Sequence, residues 1–435
     1  MKDKGATSAS KGRIRIIDVT NRDGVQTARL CLSKLEKTMI NFMLNELGVF
    51  QSEFGFPVTK HERNYIDANL RLHEKGVIAP MRLEGWIRAV KADMEVSLKN
   101  TAVRHFNVSI STSKQMTEGK FSDRIIRRPD GSGKRNILEM MVECVEFGRA
   151  GGAETIGVNA EDASRTDMEY LLEFGLAAKK AGADRFRYCD TLGYDDPFTI
   201  YERVNTIAKE LELPIEMHCH NDLGLAVANS IAGAKGALDA GQDAYINTTI
   251  NGIGERAGNA DIISVILALI YASGFGYRHL LDERIDLSKT WQAAKYASLA
   301  FGVPIAINQV GVGANAFAHA SGIHADGALK DRRNYELYDY ELLGRGEPEF
   351  VETGREIIAG AYSGIKGFRN VYEKLEVEFK DDKHAAEILE LVRYANVHTQ
   401  RPLTHSELKF IAAHPDEMRL ILTMTPPSRE DIAEG

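Results

Sequence analysis

Residues 216–225 read EMHCHNDLGL. They close a short segment with strand character, IEMHCH (215–220), and on a strand residues i and i+2 face the same side. His218 and His220 therefore point together, while Cys219 points away. Two more polar groups, Asn221 and Asp222, follow at once. A strand that ends in convergent polar side chains suits a barrel of parallel strands, whose chemistry gathers at the C-terminal strand ends.

Working outward, seven further segments have strand character: RIRIID (13–18), VFQSEFG (49–55), MRLEGW (81–86), HFNVSI (105–110), AETIGVN (153–159), DRFRYC (184–189) and AYINTT (244–249). Between them lie helical patterns such as 32–47, 136–150, 168–181 and 198–211, with apolar residues spaced by three and four. Several end in glycine, as in RAGGAE, KKAGAD and LDAGQD, the expected helix stop. Eight strand–helix units predict an α/β chain folded as a (β/α)8 TIM barrel. An open doubly wound sheet offers no natural count of eight. Polar residues at the predicted strand ends (Asp23, Glu53, Glu84, Ser111, Glu161, Asp190, Thr191, His218, His220 and Asn251) are expected to share one rim.

The pattern changes near residue 285. We assign residues 1–285 to a catalytic TIM barrel, with 1–12 as a disordered tip, and residues 286–435 to a C-terminal, mainly helical region. The Gly- and Ala-rich stretch 302–330 is expected to be irregular.

The chain has 435 residues, 44% hydrophobic and 27% charged, with a formal net charge of -8. That acidity argues against a nucleic-acid partner or an anionic membrane surface. No apolar run is long enough to span a bilayer, and the N-terminus lacks the apolar core of a secretory signal. Four widely spaced cysteines, Cys31, Cys144, Cys189 and Cys219, fit reduced thiols and a cytoplasmic location.

Two imidazoles on one face make half of a divalent metal site. A hydrogen-bonded histidine pair without metal is the alternative. Arg22 and Asp23 follow the first strand in IIDVTNRDGVQ (16–26), side by side, and suit a site that holds a cation and an anion. A further oxygen donor could come from Asn251 or Asn259 in INGIGERAGNAD (250–261). VGVGANA (310–316) mimics a dinucleotide fingerprint but lacks the strand–turn–helix context.

Taken together, VTNRDGVQ, EFGFP, AEDASRTD, DTLG, HCHNDLGLAVANS, NGIGERAGNAD and SGIHADG resemble the acyl-CoA-condensing TIM-barrel metalloenzymes: the 2-isopropylmalate synthase, homocitrate synthase and Re-citrate synthase group. IIDVTNRDGVQTARL with EFGFP is similar to the Re-type citrate synthases in particular. The resemblance runs from about residue 13 to about residue 345. It implies that Asp23, His218, His220 and Asn259 bind a divalent metal (Mn2+, Zn2+, Co2+ or Mg2+), leaving Asn251 to form the loop. It further implies that Arg22 stabilises the ketone oxygen, Thr191 holds the substrate carboxylate and Glu161 is a catalytic carboxylate. His324 and Tyr335 match a His–Tyr pair supplied across a dimer interface, which implies a homodimer with shared active sites.

The implied reaction is a Claisen-type condensation of acetyl-CoA, the co-substrate, with a 2-oxo acid, followed by thioester hydrolysis. Oxaloacetate giving citrate is the first expectation. Homocitrate synthesis from 2-oxoglutarate is the second, and a 2-isopropylmalate or citramalate synthase the third. A retro-Claisen lyase or aldolase, and a non-catalytic binding protein, are rival readings. Asn21, Val25, Val158 and Asn159 depart from the family's usual residues and are expected near the substrate. Arg187, His105 and Lys114 are candidates for the distal carboxylate. The basic loop 122–136, with Lys120 before it, could meet the phosphates of CoA or remain solvated. Residues 286–435 are short for the leucine-sensing domain usual in 2-isopropylmalate synthases, so leucine regulation is not expected.

Overall fold

Branched and aromatic residues favour strands, and here they alternate with polar ones along eight: β1 (Ile14–Asp18), β2 (Gln51–Gly55), β3 (Arg82–Arg88), β4 (His105–Ser111), β5 (Thr155–Glu161), β6 (Arg185–Asp190), β7 (Ile215–Cys219) and β8 (Ala244–Thr248). The computed structural model describes residues 12–121, 133–348, 354 and 356–424. The expected disordered tip, save Gly12, and most of the basic loop 122–136 lie outside the described residues. The strands form a closed parallel barrel in chain order. β8 returns to β1 with Ile14 opposite Ala244 and Asp18 opposite Thr248. The predicted TIM barrel is the observed one.

Local signals set the helices that return the chain between strands. Ser33 and Glu36 form a reciprocal capping box on Lys34–Glu46, which satisfies two orphan amides. Asp196 caps Pro197–Leu211, with proline in its first turn, where a missing N–H costs nothing. The apolar strand residues, among them Ile16, Phe106, Val108, Ile156, Phe186 and Met217, are buried and face the helices.

The barrel interior is different. Its usual filling is branched aliphatic side chains. Here Gln51, Glu53, Glu84, Asn107, Arg185, Arg187, Glu216 and Asn247 are buried, and they alternate along their strands with the outward apolar residues. Glu53 and Glu84, expected at the rim, belong to this interior. Glu84 pairs in register with His105, the first residue of β4, near the opposite end of the barrel.

Beyond the barrel the chain is helical: Thr290–Phe301, Gly322–Lys330, Ile365–Lys374, Asp382–Thr399, His405–Ala413 and Pro415–Leu422. Gly322–Lys330 corrects the expectation that all of 302–330 is irregular. That helix buries none of its residues, so no apolar stripe marks it in the sequence. The last helices dock on the barrel. Phe410 meets Phe42 edge-on at 5.7 Å, the Tyr296 hydroxyl donates to Glu407 at 2.7 Å, and Arg401 bridges Glu36 and Glu407. Among the described residues no helix is long and apolar enough to cross a membrane, and all four cysteines are free.

Candidate active site

After β1 the chain turns back on itself. The amides of Arg22 and Asp23 both donate to the Val19 carbonyl, at 3.0 and 2.7 Å, which sets the two side chains together at the rim. β7 ends with His218 and His220 on the same face. The Asp23 carboxylate oxygen Oδ2 lies 3.1 Å from His218 Nε2 and 3.6 Å from His220 Nε2, and the two imidazole nitrogens are 3.3 Å apart. These three side chains are buried, and among the described residues they form the one group of three or more His, Cys, Asp or Glu able to hold a metal ion.

Asn259 completes the set. The segment carrying it pairs with β7's exit through an antiparallel bridge to His220, and Asn259 Nδ2 donates to Asp23 Oδ2 at 3.0 Å. Its Oδ1 is buried without a partner, and a half turn of the amide exchanges the two ends. Two glycines permit the approach. A Cβ on Gly254 would lie 1.7 Å from Asn259 Oδ1, and one on Gly258, whose φ is +94°, would lie 2.0 Å from the Gly252 carbonyl oxygen.

Burial alone would raise the pKa of Asp23. Arg22 and the two imidazoles more than offset it, holding the carboxylate well below its usual range. Burial, with His218 beside it, pushes His220 down to about 4, so this imidazole is neutral near pH 7. An ionised carboxylate, two imidazoles and an amide fit a borderline or hard divalent cation.

Arg22 is the cation of the site. Its Nε donates to Glu53 at 2.5 Å, its Nη1 lies 3.6 Å from Asp23, and its Nη2 is buried without a partner. Behind it lies a set of ion pairs that sequence reading missed. Glu53 also binds Arg187 (2.6 Å), Arg187 and Arg185 grip Glu216 (2.5 and 2.6 Å), and Arg185 pairs with Glu84. Three guanidiniums thus face three carboxylates in the barrel interior. The available signal was the period of two: Arg185 and Arg187 on β6, and Glu216 two residues before His218 on β7.

At the other predicted positions the structure is mixed. Glu161 ends β5, accepts from the Ser111 hydroxyl and meets Lys120 Nζ at 2.8 Å. The Thr191 hydroxyl accepts the Asp162 amide at 2.9 Å, which leaves its proton to donate elsewhere. Asp190 is a loop former, accepting from the Tyr194 amide at 2.7 Å. Asn251 is one too: its φ is +59° and its amide donates to the Ala294 carbonyl.

The three distal-carboxylate candidates stand differently. Arg187 is gripped through Nε and Nη2 by Glu216 and Glu53, while its Nη1 is buried without a partner, and His105 begins β4, bonded to Thr155. Lys114 is a 76% exposed side chain paired with Glu118. Of the family departures, Asn21 turns away from the site, donating to Asn41 and to the Lys37 carbonyl, and Val158 is core. Asn159 alternates with Val158 and donates to Ser109 at 2.9 Å, with the Cys189 thiol on its carbonyl.

His324 stacks on Tyr335, ring centroids 4.3 Å apart. The pair is therefore formed, but at the surface. His324 is exposed, Tyr335 is 41% exposed, and among the described residues no hydrogen bond, ion pair or ring contact joins either to Asp23, His218 or His220.

Two family models match the chain: HMGL-like over residues 13–296, and Homocitrate synthase post-HMGL domain-like over residues 312–399. Citrate (Re)-synthase of Dehalococcoides mccartyi is 60% identical, over 95% of this chain and 99% of its own. 2-Isopropylmalate synthase 2 of Caldanaerobacter subterraneus is 37% identical over 92% and 94%, and homocitrate synthase 1 of a Nostoc species 32% identical over 91% and 96%. Among solved structures, hydroxymethylglutaryl-CoA lyase from Pseudomonas aeruginosa superposes with a TM-score of 0.54 over 69% of this chain and 96% of that one. At 15% identity that likeness concerns the fold.

Proposed function

We propose that this chain, which belongs to the HMGL-like family, is a metal-dependent synthase that condenses acetyl-CoA with a 2-oxo acid, oxaloacetate first, and releases citrate and CoA. One observation carries the reading. A buried carboxylate, two imidazoles and an amide converge at the rim of a barrel, beside a guanidinium with a free buried nitrogen. The 60% identity to a citrate (Re)-synthase over nearly the whole chain supports oxaloacetate as the acceptor.

Asp23, His218, His220 and Asn259 would hold the divalent metal: Mn2+, Zn2+, Co2+ or Mg2+. When bound it supplies a Lewis acid that polarises and orients a chelated 2-oxo acid. The remaining work falls to the chain. Arg22, held by Glu53, offers Nη2 to the ketone oxygen as that oxygen gains negative charge. Thr191 donates its remaining proton to the substrate carboxylate. Ser109 and Asn159 offer polar groups for the rest of the acceptor. Thioester α-protons are weakly acidic, so a positioned base is needed; it comes from Glu161 or the His324–Tyr335 pair. The acetyl carbanion attacks the keto carbon, a C–C bond forms, and the alkoxide takes up a proton. Water then cleaves the thioester and the thiol of CoA leaves.

We assign residues 1–285 to the catalytic barrel and 286–435 to a region that completes the site of a second copy, in a cytoplasmic homodimer with shared active sites. The exposed His324–Tyr335 pair supports this, as do its apolar neighbours: Ile323, Leu329 and Leu337 are 75%, 89% and 69% exposed, a patch that suits association.

The test is CoA thiol release from acetyl-CoA with a panel of 2-oxo acids. Oxaloacetate should give the highest kcat/KM. A higher value with 2-oxoglutarate would make the chain a homocitrate synthase. Preference for 3-methyl-2-oxobutanoate or pyruvate would make it a 2-isopropylmalate or citramalate synthase. No thiol from any acceptor, with cleavage of 3-hydroxy-3-methylglutaryl-CoA instead, would make it a lyase.

A further inference from the structure

We propose that Asn247, on β8, is the positioning residue that fixes which nitrogen of His218 carries its proton. The inference rests on the metal site proposed above. An ionised carboxylate only accepts hydrogen bonds. Glu216, clamped by Arg185 and Arg187, therefore requires the amide nitrogen of Asn247, which lies 2.6 Å from Glu216 Oε1. With its nitrogen committed, Asn247 can present only its carbonyl oxygen to His218 Nδ1, 3.0 Å away. An acceptor at that position demands the proton on Nδ1. Nε2 is left with its lone pair, aimed at Asp23 and His220, as a metal ligand must be. Asn247 is 1% exposed and Glu216 fully buried, so water does not substitute for either contact.

The chain of contacts also closes on itself. It runs from His218 through Asn247, Glu216, Arg187 and Glu53 to Arg22, and from Arg22 through Asp23 back to His218. The imidazole that would hold the cation and the guanidinium that would meet the developing alkoxide are thus oriented by one set of side chains.

The experiment measures the affinity of the purified full chain for Mn2+ alone, by competition with a chromogenic chelator. Folding of each variant is checked by circular dichroism and thermal unfolding. Asn247→Leu removes the acceptor at nearly constant volume; the Nδ1 proton loses its partner and the tautomer with the proton on Nε2 gains ground. We expect Mn2+ affinity to fall about 10- to 100-fold, the usual size for a lost outer partner of a metal ligand. Should that variant not fold, Asn247→Ala makes the same cut. A second readout separates orientation from mere packing: the tautomer of His218 in the metal-free chain, read from its ring-nitrogen chemical shifts. The unaltered chain should carry the proton on Nδ1, and Asn247→Leu should shift it toward Nε2.

Affinity unchanged in folded Asn247→Leu or Asn247→Ala overturns the inference. So does a His218 tautomer that is the same in the unaltered chain and in folded Asn247→Leu. An unaltered chain that binds no Mn2+ instead overturns the metal site itself.

Discussion

Gly254→Ala adds a single methyl group in the loop facing the proposed metal site. Built on the existing backbone, that carbon would stand 1.7 Å from Asn259 Oδ1, where ordinary contact begins at 3.4 Å. The amide must therefore retreat by about 1.7 Å, which breaks its 3.0 Å contact with Asp23 Oδ2 and takes one of four donors from the site. Misplacing a catalytic group by about 1 Å can cost on the order of 100-fold, so kcat/KM should drop by about that factor, and Mn2+ affinity with it. The comparison that matters is with Asn259→Ala. If the methyl group acts through Asn259, the double variant G254A/N259A should be no worse than Asn259→Ala alone, because residues in contact are not additive. Initial-rate thiol release and chelator competition on the four proteins make the cycle. Additive losses, or a Gly254→Ala enzyme with normal kcat/KM, would refute the reasoning.

Three further outcomes are expected. His324→Ala should bind Mn2+ normally yet lose at least about 100-fold in turnover, and mixing it with an Asp23→Asn copy should restore activity if sites are shared; turnover near the unaltered rate would remove His324 from catalysis. Exhaustive chelation should abolish thiol release and Mn2+ should restore it; full activity without any divalent ion contradicts the mechanism. Asp18, fully buried with one carboxylate oxygen unpartnered, has its pKa pushed by burial from 3.8 to about 7. Between those values the folded state holds a proton that the unfolded state has lost, so stability falls as pH rises, by up to about 1.4 kcal/mol per unit from this group. Urea unfolding from pH 4 to pH 8 should show a shallower fall in Asp18→Asn, and an unchanged slope would contradict that reading.

The barrel was legible because its outward faces obey simple rules. Phe186 and Tyr188, or Met217 and Cys219, sit at alternate positions against helices, and the intervening turns carry their own caps and glycines. His218 and His220 were legible for the same reason, since a period of two needs no partner to be read. What lay beyond reach was pairing at a distance. Glu84 and Arg185 are 101 residues apart, and Glu53 and Arg187 134. A charged residue within a strand reads as a rim residue when its neutralising partner cannot be seen, and Glu53 and Glu84 were misread in that way. Asn21 was misplaced similarly, because its partner Asn41 lies on the following helix. The helix Gly322–Lys330 escaped for another reason: a segment that buries nothing within its own chain has no stripe to betray it.

The balanced charges inside the barrel carry a consequence for anyone who would transplant this chemistry. Two histidines and an aspartate copied onto the mouth of an ordinary aliphatic barrel would lack what aims them. Moving Arg22, Glu53, Glu84, Arg185, Arg187 and Glu216 singly would strand a lone ion in a dry interior, at a cost of about 3–5 kcal/mol each. The smallest heritable unit is the whole set, spread over strands β2, β3, β6 and β7 and the turn after β1, so drift or design must change these positions in concert or leave them alone.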